Sequence, residues 1–270
     1  MIYTSQTLVS IKNEIGGFSD DDIEKILLGV YSGKITIHDL PANLYAYYVS
    51  EFAKAIDEVF TSTEVAEAQA LRALLYENIQ FFSGAKTFQV IQDFESFLIE
   101  DGKPVEFNVF RKKVLEQYKQ YNKVWLKTEY EFAVESARAG KQWVQIWQDR
   151  QIFPLLEYVT VGDGLVRSSH KVLDGVIKPV NDPFWNTYYP PWAWKCRCIT
   201  KSLETGTITT FADIKNKVVV LPEIKPFFQN NVGKTGKIFN GHHPYFKRIP
   251  NRSKKWAMQN FGLPFKQLSK

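Results

Sequence analysis

The stretch of sequence that decides the fold runs from residue 158 to residue 200 and contains four short motifs. In chain order they read His170-Lys-Val-Leu-Asp-Gly175, Asp182-Pro-Phe-Trp185, Tyr189-Pro-Pro191 and Trp194-Lys-Cys-Arg-Cys198. Asp174-Gly175 is a turn signal, so we expect a short helix beginning near Arg167 to end there. The twin prolines predict a stiff loop, because proline has a fixed φ and no amide hydrogen. β-Branched and aromatic residues on either side of these motifs predict strands at 155–161 and 196–203.

Upstream of these motifs the sequence predicts a helical region. Ser19 can cap a helix, and the acidic residues that follow it favour the positive end of the helix dipole. Apolar residues then recur every three or four positions, which is typical of amphipathic helices. We expect helices over 19–33, 41–59, 65–84, 88–101 and about 107–139, the last with a break near Asn122.

The pattern changes after Gly140. Trp143–Trp147 and Val218–Leu221 are rich in aromatic or β-branched residues and predict further strands. The expected fold class is therefore α+β, in which a mainly helical N-terminal region (1–140) is followed by a small mixed α/β C-terminal domain (141–270).

Composition predicts a globular chain with a mild basic excess. Hydrophobic residues make up 44% of the 270 residues, and the net charge is +5. Basic residues cluster at Arg111-Lys112-Lys113 and again at Lys247-Arg248 with Arg252, Lys254 and Lys255. Either cluster can contact DNA phosphates or an acidic protein face, and a solvated surface is the alternative for both.

The sequence predicts neither a membrane span nor a secretory signal. No stretch approaches the roughly 18–20 apolar residues of a span. The first residues lack a basic segment followed by an apolar one. A disulfide between Cys196 and Cys198 would close a strained ring, so we expect reduced cysteines and a reducing cytosol.

Three residues of the decisive stretch are candidate zinc ligands. Thiolates two positions apart on a strand, Cys196 and Cys198, can face one metal, and His170 from a neighbouring helix can add a third donor. Candidates for a fourth ligand are Asp163, Asp174 and His242. In the alternative, both thiols are reduced and buried beside the aromatic loop, and His170 forms a hydrogen bond with Asp174 or with backbone.

Two further features admit a functional and a structural interpretation. The Pro190-Pro191 loop, flanked by Tyr188, Tyr189, Trp192 and Trp194, can dock a partner or fold back over a small sheet. Asp182 and Arg197 can brace it. His242-His243 can suggest a nuclease, but no accompanying catalytic motif is present, so we expect a surface loop and no catalytic residues.

The order of the four motifs resembles the phage Mu gpF-like (Mu F) family of head morphogenesis and minor capsid proteins. In that family a His-x-x-Leu-Asp-Gly element is followed by a Pro-Pro turn, an aromatic residue and Cys-Arg-Cys. The matching positions here are Asp174, Gly175, Asp182, Pro190, Pro191 and Arg197. Lys127-Thr128-Glu129 echoes an Arg-Thr-Glu of the family's preceding helix. Trp192-Ala193 departs from the small polar pair that many relatives carry there.

The resemblance implies a non-enzymatic protein of a phage or prophage head. It implies binding to the portal protein, and to the major capsid or scaffolding protein, during procapsid assembly and DNA ejection. It places the chain in the head interior of the virion and, during assembly, in the host cytoplasm. The competing hypothesis is a phage-encoded effector enzyme of nuclease or ADP-ribosyltransferase type, and a third is a zinc-stabilised adaptor.

Overall fold

The computed structural model describes residues 18–61, 64–210, 213 and 223–249. It confirms the α+β class. The helices are α1 (Asp20–Tyr31), α2 (Ala42–Asp57), α3 (Ala66–Glu95), α4 (Phe107–Lys119), α5 (Leu126–Asp149), α6 (Ser168–Lys171), α7 (Phe184–Thr187), α8 (Val232–Thr235) and α9 (Pro244–Lys247). A π-helical turn, Gln120–Trp125, joins α4 to α5, and a 3₁₀ turn spans Pro226–Phe228. The predicted strand at 218–221 lies outside the described residues.

The strands form two small antiparallel sheets. Strands β1 (Ile99–Glu100) and β2 (Lys103–Pro104) make a hairpin. Strands β3 (Leu155–Val159), β4 (Ile177–Pro179) and β5 (Ile199–Leu203) make a three-stranded sheet in the order β4-β3-β5. The predicted strand at 196–203 therefore begins later, at Ile199, and both cysteines precede it.

The first helix begins and ends as its sequence predicts. The amide of Asp22 donates to the hydroxyl of Ser19 at 3.2 Å, and the Asp22 carboxylate accepts from the Ser19 amide at 2.9 Å. This reciprocal pair satisfies donors that a helix start leaves free. At the other end Gly33 has a φ of +73°, which favours glycine and stops the helix.

Two predicted boundaries in the helical region and one predicted strand are wrong. Helix α3 continues through Gly84, where the sequence predicted a break between two helices. Helix α5 continues through Gly140 to Asp149, so Trp143–Trp147 is helical and not a strand. Trp143 and Ile146 are both buried while Trp147 is exposed. This is helical spacing, because buried positions three apart share one face of a helix.

The contacts divide the chain into two compact units, each built from separate stretches of sequence. The described residues of the first unit are 18–54, 76–130 and 241–249, and those of the second are 55–75 and 131–240 with the gaps given above. The linear division at residue 140 stays a prediction. None of the helices in the described ranges combines the length and apolar character needed to cross a bilayer.

Each unit has its own apolar core. In the first, large side chains of four helices are fully buried, among them Ile26, Phe52, Phe88 and Phe110. In the second, the rings of Trp143 on α5 and Tyr189 meet edge to face, with centroids 4.9 Å apart. The four motifs of the decisive stretch lie in the segments that connect the strands of its three-stranded sheet, and the sheet thereby positions the candidate site.

Candidate metal centre

His170 is held by a short helix whose end is fastened to strand β3. The chain reverses at Gly175, where φ is +76° and the amide donates to the carbonyl of Tyr158 at 2.8 Å. The carboxylate of Asp174 accepts from the amide and the hydroxyl of Thr160, at 2.7 and 3.0 Å. A left-handed backbone favours glycine. The Leu-Asp-Gly turn therefore fixes the histidine relative to β3.

The two cysteines are aimed inward by a backbone whose burial alternates. Cys196 and Cys198 are buried, while Arg197 between them is exposed. The guanidinium of Arg197 donates two hydrogen bonds to the carboxylate of Asp163, at 2.7 and 2.5 Å. Such a bidentate pair has a defined geometry. It holds Arg197 outward, and both thiols lie on the inner side of the segment.

His170, Cys196 and Cys198 form one cluster, as their order in the sequence suggested. The Nδ1 atom of His170 lies 3.2 Å from Sγ of Cys198 and 3.6 Å from Sγ of Cys196. All three candidate ligand atoms lie within 4.8 Å of one another. Zinc bonds of about 2.0–2.3 Å in a tetrahedron put neighbouring ligand atoms about 3.6–3.8 Å apart. The group can therefore hold a metal ion after small adjustments.

A tryptophan fixes the imidazole from one side. The ring of Trp192 stacks on that of His170 with centroids 3.7 Å apart and an interplanar angle of 21°. The indole Nε1 of Trp192 donates to the hydroxyl of Tyr158 at 2.9 Å. Trp192 thus orients a candidate ligand.

The electrostatics of the cluster favour one thiolate. The pKa of Cys196 is lowered, first because the thiol of Cys198 donates a hydrogen bond to its sulfur and then because of His170. The same hydrogen bond, followed by burial, raises the pKa of Cys198. The thiolate is the form of cysteine that ligates metals. The cluster therefore stabilises a metal-binding form of one cysteine.

The carboxylates near the cluster form hydrogen bonds with other residues, and this corrects one alternative that the sequence left open. The sequence left open a hydrogen bond between His170 and Asp174, but the Asp174 carboxylate accepts from Thr160, and Nδ1 of His170 faces the cysteines. Of the candidate fourth ligands, Asp174 is thus occupied and Asp163 is held by Arg197, while His242 is exposed.

The aromatic loop folds inward over the sheet unit. The exposed fractions of Trp185, Tyr189 and Trp192 are 0%, 1% and 4%. The hydroxyl of Tyr189 donates to the carbonyl of Ala139 at 3.0 Å, and the peptide bond between Pro190 and Pro191 is cis. Of the two interpretations left open by the sequence, burial of these rings favours the one in which the loop covers the sheet.

Asp182 and Trp185 brace this loop from within. The Asp182 carboxylate accepts from the amide of Phe184 at 2.8 Å, and the indole of Trp185 donates to the carbonyl of Pro179 at 2.9 Å. These contacts fix the start of α7. That the family-motif residues act as a functional set stays a prediction.

A cavity of about 170 Å³ borders the thiol side of the cluster. Its wall includes Cys196 and Cys198, the Pro190–Pro191 bend, and Glu135 and Arg138 of helix α5. A metal site needs an entry path and room for its remaining ligand, and this cavity offers both.

The first unit contains a buried ion pair that the sequence analysis missed. The ammonium of Lys86, whose side chain is fully buried, donates to the carboxylate of Glu129 at 2.8 Å, and the hydroxyl of Tyr245 donates to the other oxygen at 2.8 Å. Lys86 also lies 5.1–5.3 Å from the ring centroids of Tyr48, Tyr121 and Tyr245. Burial lowers the pKa of Lys86, and Glu129 opposes that shift.

His243 is buried, so the predicted surface loop is wrong at this position. Its ring packs edge-on against Phe82 with centroids 4.9 Å apart, and its Nδ1 accepts from the amide of Tyr245 at 3.3 Å. Burial, followed by the charge of Lys86, lowers the pKa of His243 to about 3. The imidazole therefore acts as a helix cap inside a packed unit.

Three described residues of the two basic clusters are paired with carboxylates. Arg111 forms an ion pair with Glu24, and Lys113 with Glu100 at 2.8 Å. Arg248 lies 3.6 Å from the carboxylate of Asp93. Arg252, Lys254 and Lys255 lie outside the described residues. For the described members, these pairs favour the solvated-surface interpretation.

The fold and site define an α+β protein with a buried imidazole–dithiol cluster of metal-ligand type at the end of a small antiparallel sheet. Comparison with known proteins agrees with the resemblance read from the motifs. Residues 103–201 match the family described as Phage Mu protein F like protein. This segment, from just before α4 into β5, is therefore Mu F-like.

Two relatives show the same likeness. Over 81 residues the chain is 33% identical to the protein named "Putative capsid assembly protein F" of Escherichia phage Mu, an alignment covering 30% of this chain and 18% of that protein. Over 78 residues it is 40% identical to the Mu-like prophage FluMu F protein of Haemophilus influenzae, covering 29% and 18%. The alignments thus span about a fifth of each relative. No solved structure shows a significant match.

Proposed function

We propose that this chain is a head morphogenesis or minor capsid protein of a tailed phage or prophage. The observation that carries the proposal is the Mu F-like segment at 103–201, together with the similarity to a protein named for capsid assembly. Because the aligned part is a small share of each relative, the role of the whole chain is inferred from this segment.

The chain acts by binding and has no catalytic activity. A general base needs an accessible lone pair near a nucleophile or a metal. His243, on which the competing nuclease hypothesis depends, is 5% exposed and its Nδ1 accepts a backbone amide. This burial supports a structural histidine. It argues against the effector enzyme as far as that hypothesis relied on His243.

The partners are other components of the head. We assign binding to the portal protein, with the major capsid or scaffolding protein as further contacts, during procapsid assembly and DNA ejection. The chain is then placed in the head interior and, before packaging, in the host cytoplasm. Contact with packaged DNA is non-specific and secondary, since Arg111 and Lys113 already pair with carboxylates.

Zinc is the metal that the buried cluster takes. Two thiolates and an imidazole are donors that suit zinc, whereas magnesium and calcium prefer oxygen ligands. His170, Cys196 and Cys198 would hold it, and the ion would cross-link α6 to the segment before β5. Its role is to stabilise the Mu F-like part as a rigid recognition unit.

Co-expression with the portal protein encoded in the same genome tests the function. We expect affinity-tagged chain to retain the portal protein through a high-salt wash and after nuclease digestion, because specific contacts persist when DNA bridging is removed. A tagged protein of similar size and charge serves as the control. Failure to retain portal, major capsid and scaffolding proteins alike would overturn the proposal.

A further inference from the structure

We propose that Glu135 supplies the fourth ligand of the metal centre formed by His170, Cys196 and Cys198. The inference rests on the zinc proposal above, because it names the side chain that completes the same site. Nothing in the spacing of the sequence motifs indicates Glu135, which lies 35 positions before His170 on helix α5.

The open coordination position faces the cavity. Three protein donors leave one corner of a tetrahedral zinc site to be filled. Both cysteines line the cavity of about 170 Å³, whereas His170 lies behind them and is covered by Trp192. A fourth donor therefore approaches from the cavity side.

Glu135 is the one carboxylate on the wall of this cavity. Its side chain is 50% exposed and has three rotatable bonds, so it is free to change its rotamer. It does not belong to the group of donors within 4.8 Å, and such a change is required for coordination. Glutamate oxygen is an accepted zinc donor beside sulfur and nitrogen.

The charges around Glu135 suit a ligand. Zinc with two thiolates and a neutral imidazole has no net charge, and a carboxylate adds one negative charge. Arg138 compensates for part of it, since its Nη1 donates to Oε1 of Glu135 at 2.7 Å and its Nη2 to Glu58 at 3.0 Å. Oε2 is the oxygen that we assign to the metal, while Arg138 orients the carboxylate as outer-shell partners commonly do.

The other carboxylates near the cluster are held in place. Asp163 forms two hydrogen bonds with Arg197, and Asp174 accepts two from Thr160. Recruiting Asp163 would break its bidentate pair with Arg197, which lies between the cysteines. Turning Asp174 would break both of its contacts with Thr160, which fasten the histidine helix to β3. Glu135 need not break a comparable contact, because its Oε1 can stay paired with Arg138 while its Oε2 binds the metal.

Cobalt and zinc titrations of the full chain, stripped with a chelator, test the inference. The visible spectrum of bound Co²⁺ reports the donor set, and competition with a chromophoric chelator gives the zinc affinity. We expect one equivalent of metal for the unaltered protein and for Glu135→Gln. In that variant the cobalt bands shift and the zinc affinity falls about 10- to 100-fold, the scale of lost metal-site contacts.

Arg138→Gln is the matched control. It removes this ion pair and the one with Glu58 but keeps the Glu135 carboxylate. The cobalt spectrum should therefore be unchanged, and the zinc affinity should fall less than in Glu135→Gln, because Arg138 orients the carboxylate without itself binding the metal. If the zinc affinity fell equally in both variants, the loss would be explained by the broken ion pair and not by a missing ligand, and the inference would be overturned. An unaltered spectrum and affinity in Glu135→Gln would also overturn it, and would leave the zinc proposal standing. Absence of metal binding in the unaltered protein would overturn both, without bearing on capsid assembly.

Discussion

The Nδ1 atom of His170 lies 3.2 Å from the Sγ atom of Cys198, although 28 positions separate the two residues. The contact joins the helix before the Leu-Asp-Gly turn to the segment before β5. Between them the chain makes β4, α7 and the Pro190–Pro191 bend. This buried contact thus brings together motifs that are far apart in the sequence.

Cys198→Ser should abolish stabilisation by zinc. With free zinc at 100 times its Kd, binding adds about 2.7 kcal/mol to the free energy of unfolding. Urea unfolding with and without zinc measures this difference, which should be near zero in the variant. Lys171→Ala, an exposed change beside His170, should keep the full effect. Equal stabilisation of Cys198→Ser and the unaltered protein would contradict the ligand assignment.

Lys86→Met should destabilise the first unit strongly. It leaves the Glu129 carboxylate, whose side chain is 5% exposed, without its ammonium partner. Breaking a buried pair in this way costs about 3–5 kcal/mol. Lys25→Met removes an ion pair with Asp21 whose side chains are 69% and 74% exposed, and should lower the urea midpoint far less. Urea midpoints that fall equally in the two variants would refute a structural role for the Lys86 pair.

His243 should make the stability of the protein fall in mild acid. Its pKa is about 3 in the folded state and about 6.5 in an unfolded chain, so the unfolded state binds more protons between these values. This contribution is complete above about pH 6.5 and is lost as the pH falls, at up to about 1.4 kcal/mol per unit. His243→Asn keeps a capping side chain but does not titrate. We expect a smaller loss of unfolding free energy between pH 7 and 5 in this variant, and the same loss as in the unaltered protein would disprove the assignment.

Gly233→Ala should destabilise the second unit through a steric clash. A Cβ at this position would lie 2.2 Å from Cβ of Trp143, so the helix or the tryptophan must move. Overpacking of this kind costs about 1–3 kcal/mol. Gly164→Ala meets nothing within 4 Å and should change stability by less than about 0.5 kcal/mol. Thermal unfolding of the two variants, if indistinguishable, would argue against the close packing of α8 on α5.

The helical region shows where sequence periodicity is sufficient and where it is not. Helix α1 follows its cap and its apolar spacing closely. Helix α3 is buried on all sides between residues 81 and 90, so glycine at 84 is part of the packing and not a terminator. Gly140 likewise lets α5 approach its neighbours, since a Cβ there would lie 3.2 Å from side chains of Leu71 and Val232. A local pattern does not distinguish these roles of glycine.

The three candidate metal ligands could be predicted from the sequence because each lies within a short motif. His170, Cys196 and Cys198 were identified from residue type and order alone. The stacked Trp192, the cavity and Glu135 depend on tertiary packing between distant segments, for which the sequence has no local signal. Lys86 was missed for the same reason, although a lysine inside an otherwise apolar stretch of α3 indicates a buried charge that needs a partner.

The most direct test of the central claim, that this chain is built into phage heads, is its distribution in particles. Heads and procapsids would be purified on density gradients from cells that produce the encoding phage or prophage, and their proteins quantified by mass spectrometry. The account predicts that the chain sediments with these particles in a fixed, low ratio to the major capsid protein. The account would be contradicted if the chain were recovered only in the unassembled fraction and particles still formed normally after deletion of its gene.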